Sequence, residues 1–189
     1  MMTRQEFWTF IKDAQWEADQ PAILPILVER LSYLSLSRLE QFHRHVQRTV
    51  QVSWSPQLLN ACFLLAPTLG TDGFSYAQAI GFLMRYGKSA FVHLKQNPDR
   101  LLQHLPLGEL FPEPSLLEVS AEAYFLTHST EQSLPTSLTI AVPKAWRSHW
   151  RSIDQFRQVL PQLTRQCWRA DHQRVLNSTS SSQLDQNPR

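Results

Sequence analysis

The sequence predicts an all-α protein: a compact multi-helix domain of seven or eight helices, a basic C-terminal helical appendage and a disordered tail. Three observations support this. Apolar residues recur at three- and four-residue steps through most of residues 4–127, the period of one buried helical face. Helix start signals, capping boxes and a Ser-Pro pair, precede several of these stretches. The one segment that alternates like a strand, Ser137 to Val142, has no second strand to pair with and reads as an extended connection.

Thr3-Arg4-Gln5-Glu6 is a capping box, in which hydroxyl and carboxylate each accept from the other residue's backbone N–H. Phe7, Phe10, Ile11, Ala14 and Ala18 follow on one face, and the helix stops before Pro21, whose ring and missing N–H do not suit a helix interior. Ile23, Leu24, Leu27, Val28, Leu31 and Leu34 make a second apolar face in a helix that begins near Pro25. From Ser35 a third stripe runs through Leu39, Phe42, His43, Val46, Val50 and Trp54 over about five turns. Ser55-Pro56 supplies an N-cap with proline at the first helical position, and the almost unbroken apolar run Leu58 to Ala66 makes that helix central.

Four of the five glycines, Gly70, Gly73, Gly81 and Gly87, fall within eighteen residues, marking tight turns or close backbone approaches. Thr71 or Asp72 caps a helix carrying Phe74 to Tyr86, and Gly87 ends or bends it before Lys88 to Gln96 continues. In Asn97-Pro98-Asp99 the proline pushes Asn97 out of helical angles and opens a short helix, Asp99 to Leu105. Pro106, Pro112, Pro114 and Gly108 form a loop, after which Ser115 to Glu118 offers a second capping box for a helix reaching about Thr127. The domain proper is then 1–128 and the connection 129–143. Helices at roughly 144–159 and 161–175 form the appendage, 144–176, and the tail, 177–189, lacks the apolar content to order itself.

Several function classes are poorly supported. A chain of 189 residues, 42% of them hydrophobic, needs no disulfide or metal to hold its core. Its two cysteines, Cys62 and Cys167, make neither a disulfide framework nor a C-x-x-C pair. No signal-peptide core and no apolar run of transmembrane length is present, so a cytoplasmic location is expected. His43 and His45 stand two apart on a helix and point in different directions, His43 into the core and His45 to water, so no metal site is expected. No cofactor fingerprint appears. Gly87-Lys88-Ser89 echoes the end of a phosphate loop, but Gly81 lies one residue too far upstream and no strand precedes it.

Phe7-Trp8 in the first helix, Phe42 in the third, Thr71-Asp72-Gly73-Phe74 after the apolar helix, Gly87-Lys88, Asn97-Pro98-Asp99 and Glu122-Ala123-Tyr124 occur here in order. With these motifs, residues from about 4 to 127 resemble the bacterial family catalogued as domain of unknown function 4240. The resemblance implies a helical fold and no reaction. It departs from the family in having Thr71 where an aspartate is expected and Leu58 or Leu59 where a tryptophan is expected.

Two places remain for chemistry. Asp72, with Gly73, is either an N-cap of the Phe74 helix or, with Lys88, part of a ligand or enzyme site on the glycine-rich turns. The appendage carries seven basic residues against two acids between 144 and 174, whereas residues 1–143 carry ten basic against thirteen acidic. Arg147, Arg151, Arg165 and Arg169, interleaved with Trp146, Trp150 and Trp168, form either a partner surface, for nucleic acid among other ligands, or a segment docking on the acidic body. The function expected is a non-catalytic helical module that binds another protein; a catalytic or ligand site at Asp72/Lys88 and nucleic-acid binding are the alternatives.

Overall fold

The first capping box forms as the spacing predicts. Thr3 N–H donates to Glu6 Oε2 at 2.6 Å, and Glu6 N–H to Thr3 Oγ1 at 3.1 Å, starting α1 (Arg4–Glu17). Those Thr3 bonds, helped by Arg38, hold the Glu6 carboxyl below its usual range. The computed structural model describes residues 1–17, 23–69, 72–103, 105, 115–128, 133–139, 150, 152–169, 171, 172 and 175. Among them are α2 (Ile23–Ser32), α3 (Leu36–Val52), α4 (Pro56–Leu65), α5 (Gly73–Met84), α6 (Gly87–Gln96), α7 (Val119–Thr127), α8 (Ile153–Val159) and α9 (Pro161–Cys167), with no strand among the described residues. The protein is all-α.

Several boundaries differ from expectation for local reasons. The third helix ends at Val52, with Ser53 N–H closing on Val50 O at 3.2 Å, so Trp54 leaves the stripe and packs edge-on against Tyr76 at 5.0 Å. The helix expected over Asp99 to Leu105 is a 3₁₀ turn, Pro98–Gln103, interrupted at Arg100. Ser115 does engage Glu118, its N–H and Oγ each donating to Glu118 Oε2 at 2.7 Å, but this closes a turn and α7 begins only at Val119. The expected extended connection contains a 3₁₀ turn, Thr136–Leu138, which buries Leu138. Ser152 and Gln155 form a capping box for α8 that the sequence reading did not assign. The tail 177–189 lies outside the described residues.

Spatial contacts group the chain into two units that interleave along the sequence. The first comprises Met1–Ser53, Ala77–His93 and Phe111–Pro143. Within it α1 packs on α2 and α3, and α7 on α2 and α3. Phe7 is fully buried, with the rings of Trp8 and Phe42 both 5.1 Å away and His45 stacked at 5.3 Å. Each such phenylalanine contributes about 1.5–3 kcal/mol by burial. Gly81 lets α5 approach closely, since a Cβ there would stand 3.1 Å from Ser115 Oγ.

The second unit comprises Trp54–Tyr76, Leu94–Leu110 and Lys144–Arg189. It is centred on α4, whose residues from Leu58 to Leu65 are all buried, as the apolar run predicts. Ser55 Oγ accepts from Leu58 N–H at 3.3 Å, with Pro56 opening the helix. Helix α9 packs on α4, on α8 and on the Pro98–Gln103 turn. Phe156 of α8 is fully buried, with Phe63 at 5.9 Å, Trp150 at 5.2 Å and Trp168 at 5.3 Å.

Candidate functional site

An open groove of about 670 Å³ runs along α1 and the start of α6 in the first unit. Helical spacing places Gln5, Trp8, Thr9, Lys12 and Gln15 of α1 along one wall. The α5–α6 junction supplies Tyr86, Gly87, Lys88, Ser89 and Val92. Lys12, Lys88, Thr9, Ser89 and Val92 are exposed, while Trp8 is only 6% exposed and rests on Phe91 at 5.9 Å. A smaller depression of about 360 Å³ shares Gln5 and Thr9 and is lined also by Glu6, Asp13 and Arg38.

The junction is built around Gly87 and Arg85. Gly87 has φ +84°, a left-handed conformation natural only to glycine, and a Cβ there would lie 2.9 Å from Gln15 Oε1. Gln15 in turn donates from Nε2 to the Arg85 carbonyl at 2.6 Å, tying α1 to the end of α5. The Arg85 side chain is buried, its guanidinium 3.8 Å above the Phe82 ring and donating to Tyr86 Oη at 3.1 Å. Sequence inspection did not single out Arg85, Gln15 or Lys12. Arg85 follows directly on the apolar helix α5, which was its one available signal.

Lys88 lines this groove, and Asp72 is not among the lining residues. Asp72 is exposed and its Oδ1 accepts from Ser75 N–H at 2.8 Å, while its carbonyl accepts from Tyr76 N–H at 3.0 Å. That is N-cap geometry for α5, with Gly73 as its buried first residue. Thr71 lies outside the described residues.

His43 is buried, and its Nε2 donates to the Thr139 carbonyl at 3.2 Å; burial pushes its pKa down, which that bond partly opposes. His45, expected to face water, is half-buried against Phe7 with Nε2 donating to the Met2 carbonyl at 3.0 Å. Among the described residues no cluster of three or more His, Cys, Asp or Glu is placed to hold a metal ion. Burial pushes the Cys62 thiol far up and raises that of Cys167 as well, the opposite of an activated thiolate.

Of the basic C-terminal residues, Arg165 and Arg169 are exposed, and Arg147 and Arg151 lie outside the described residues. Trp150 and Trp168 pack on Phe156 within the second unit, so these indoles serve its aromatic cluster. His172 secures the same segment to α4: Nε2 donates to the Leu64 carbonyl at 2.8 Å, and Nδ1 accepts from Arg169 N–H at 3.0 Å. No described helix is long and apolar enough to cross a membrane.

Fold and groove together define an all-α protein with an aromatic, lysine-bearing cleft beside a left-handed glycine. A family described as "Protein of unknown function (DUF4240)" matches residues 2–125, and the chain belongs to it. No curated protein and no solved structure matches the chain. All ten groove residues fall within the matched span.

Proposed function

We propose that this chain is a non-catalytic binding module that grips another protein along the α1/α6 groove. The make-up of that groove supports the reading. Exposed apolar surface at Val92 and the Trp8 and Tyr86 rings stand beside amides, hydroxyls and two lysines. Protein-recognition surfaces pair aromatic anchors with polar groups that fix orientation in this way. The Gly87 turn and the Gln15–Arg85 bond hold both walls in place before a partner arrives, which lowers the ordering cost of binding. Unpaired Cys62 and Cys167 suit a reducing compartment, so a cytoplasmic setting belongs to the same proposal.

Affinity capture from the native cell extract tests it. Full-length chain is compared with Val92→Asp and with a Lys12→Glu/Lys88→Glu double variant, each checked for native circular dichroism. A specific protein retained by the first and lost by both variants is the expected result. Capture that survives both variants moves the binding face elsewhere.

A further inference from the structure

The 3₁₀ turn Thr136–Leu138 closes its own backbone bonds. Leu138 N–H donates to the Pro135 carbonyl at 2.8 Å, and the Thr139 N–H and hydroxyl both donate to the Thr136 carbonyl, at 3.2 and 2.7 Å. These groups keep their partners whether or not the turn rests on anything. Residues 133–139 carry no charge, and all are exposed or half-buried except Leu138, which is 1% exposed. A row of side chains on α3 fastens the turn. Glu40, His43 and Gln47 follow one another at three- and four-residue steps and so share a face of that helix. Glu40 Oε1 accepts from Ser137 Oγ at 2.7 Å, and the Thr139 carbonyl accepts from His43 Nε2 at 3.2 Å and from Gln47 Nε2 at 3.4 Å. One leucine and three side-chain bonds, two of them exposed, hold the turn far less firmly than Leu39, Phe42, Val46 and Val50 hold α3 in its core. The helix lies inside the span that matches the family, whereas the turn lies beyond residue 125.

We propose that this face of α3 is a peptide-receiving slot, filled in cis by Pro135–Thr139, and that a partner segment presenting a leucine between uncharged hydroxyl residues displaces that occupant. The slot is separate from the α1/α6 groove, whose lining includes none of Glu40, His43, Gln47 and Leu138, so neither reading depends on the other.

The test is thiol labelling of the folded full chain carrying Leu138→Cys in a Cys167→Ser background, with buried Cys62 as the internal reference for global unfolding. The introduced thiol should react at least about 100-fold faster than Cys62, because lifting the turn breaks far fewer contacts than unfolding the helices. A heptapeptide of residues 133–139 should raise that rate further, and saturably, by occupying the slot whenever the turn leaves it. The same peptide carrying Leu138→Asp should not. Glu40→Ala and Gln47→Ala should each speed labelling about threefold, the size of an exposed hydrogen bond. Labelling at the Cys62 rate, or a rate that neither the peptide nor these two variants change, overturns the proposal. If Leu138→Cys lacks native circular dichroism, the peptide is titrated into wild-type protein instead: the ¹H–¹⁵N signals of Ser137, Leu138 and Thr139 should move saturably, and unmoved signals overturn the proposal equally.

Discussion

Replacing Asp99 with alanine should loosen α9, a helix more than sixty residues further along the chain. The Asp99 carboxylate accepts from Leu163 N–H at 2.9 Å through Oδ1 and from Gln162 N–H at 3.2 Å through Oδ2. Those are two of the donors that every helix start leaves without an intrahelical partner. The residue at the N-cap position, Leu160, has no oxygen to offer them, and Pro161 has already removed a third donor. Losing a capping side chain costs about 0.5–2 kcal/mol, and bonds to a charged acceptor fall in the upper part of that range. The Gln162 bond is exposed and discounted, which leaves about 1–2 kcal/mol, or roughly 2–8 °C in Tm for a chain of this size. Asp99→Asn, keeping one acceptor oxygen, should lose about half as much. Urea and thermal denaturation give the global cost, and amide exchange at Leu163, a buried residue, reports the cap itself. A loss below about 0.3 kcal/mol with Leu163 exchange unchanged would refute the reasoning, because water would then be replacing the carboxylate without cost.

Three further outcomes follow from the geometry. Gly87→Ala must carry φ +84° with a side chain and displace Gln15 from the Arg85 carbonyl; a cost of about 1–2 kcal/mol is expected, Gly87→Asn being milder, and equal urea midpoints for wild type and alanine variant would contradict it. Burial holds the His43 pKa below the ordinary value of about 6.5, so on acidification the unfolded chain takes up this proton first. Its contribution is complete above that value and declines as pH falls towards the lowered folded value; the urea midpoint of wild type should therefore drop more between pH 7.5 and 5 than that of His43→Gln, and identical drops would count against the assignment. In a thiol assay of native protein, Cys62 should react only on unfolding and half-buried Cys167 slowly, whereas two fast thiols would show that neither is protected.

The starts of helices were legible because their signals are local. Thr3 and Glu6, Ser55 and Pro56, and Asp72 with Ser75 each settle their bonds within three residues, and all form as the spacing implies. Helix ends were less legible: periodicity carries on to Trp54, while the chain turns at Ser53 so that the indole meets Tyr76. Pro98 does open a turn, but it takes 3₁₀ geometry interrupted at Arg100, and Asp99 within it reaches across to α9. His45 has a polar side chain at a position that periodicity assigns to water, and only the return of Met2 beside it supplies the acceptor that makes half-burial tolerable.

By itself, then, the sequence determined the all-α class and most helix starts, which depend on residues within a few turns of one another, and the family, which rests on the order of motifs along the chain. Tertiary structure alone decided that Lys88 faces a groove with Lys12 and Trp8, that the Arg85 carbonyl accepts from Gln15, and that Asp99 caps α9. These pairings join residues about sixty to eighty positions apart, and linear spacing carries no record of which distant helix faces will meet when apolar surface is buried.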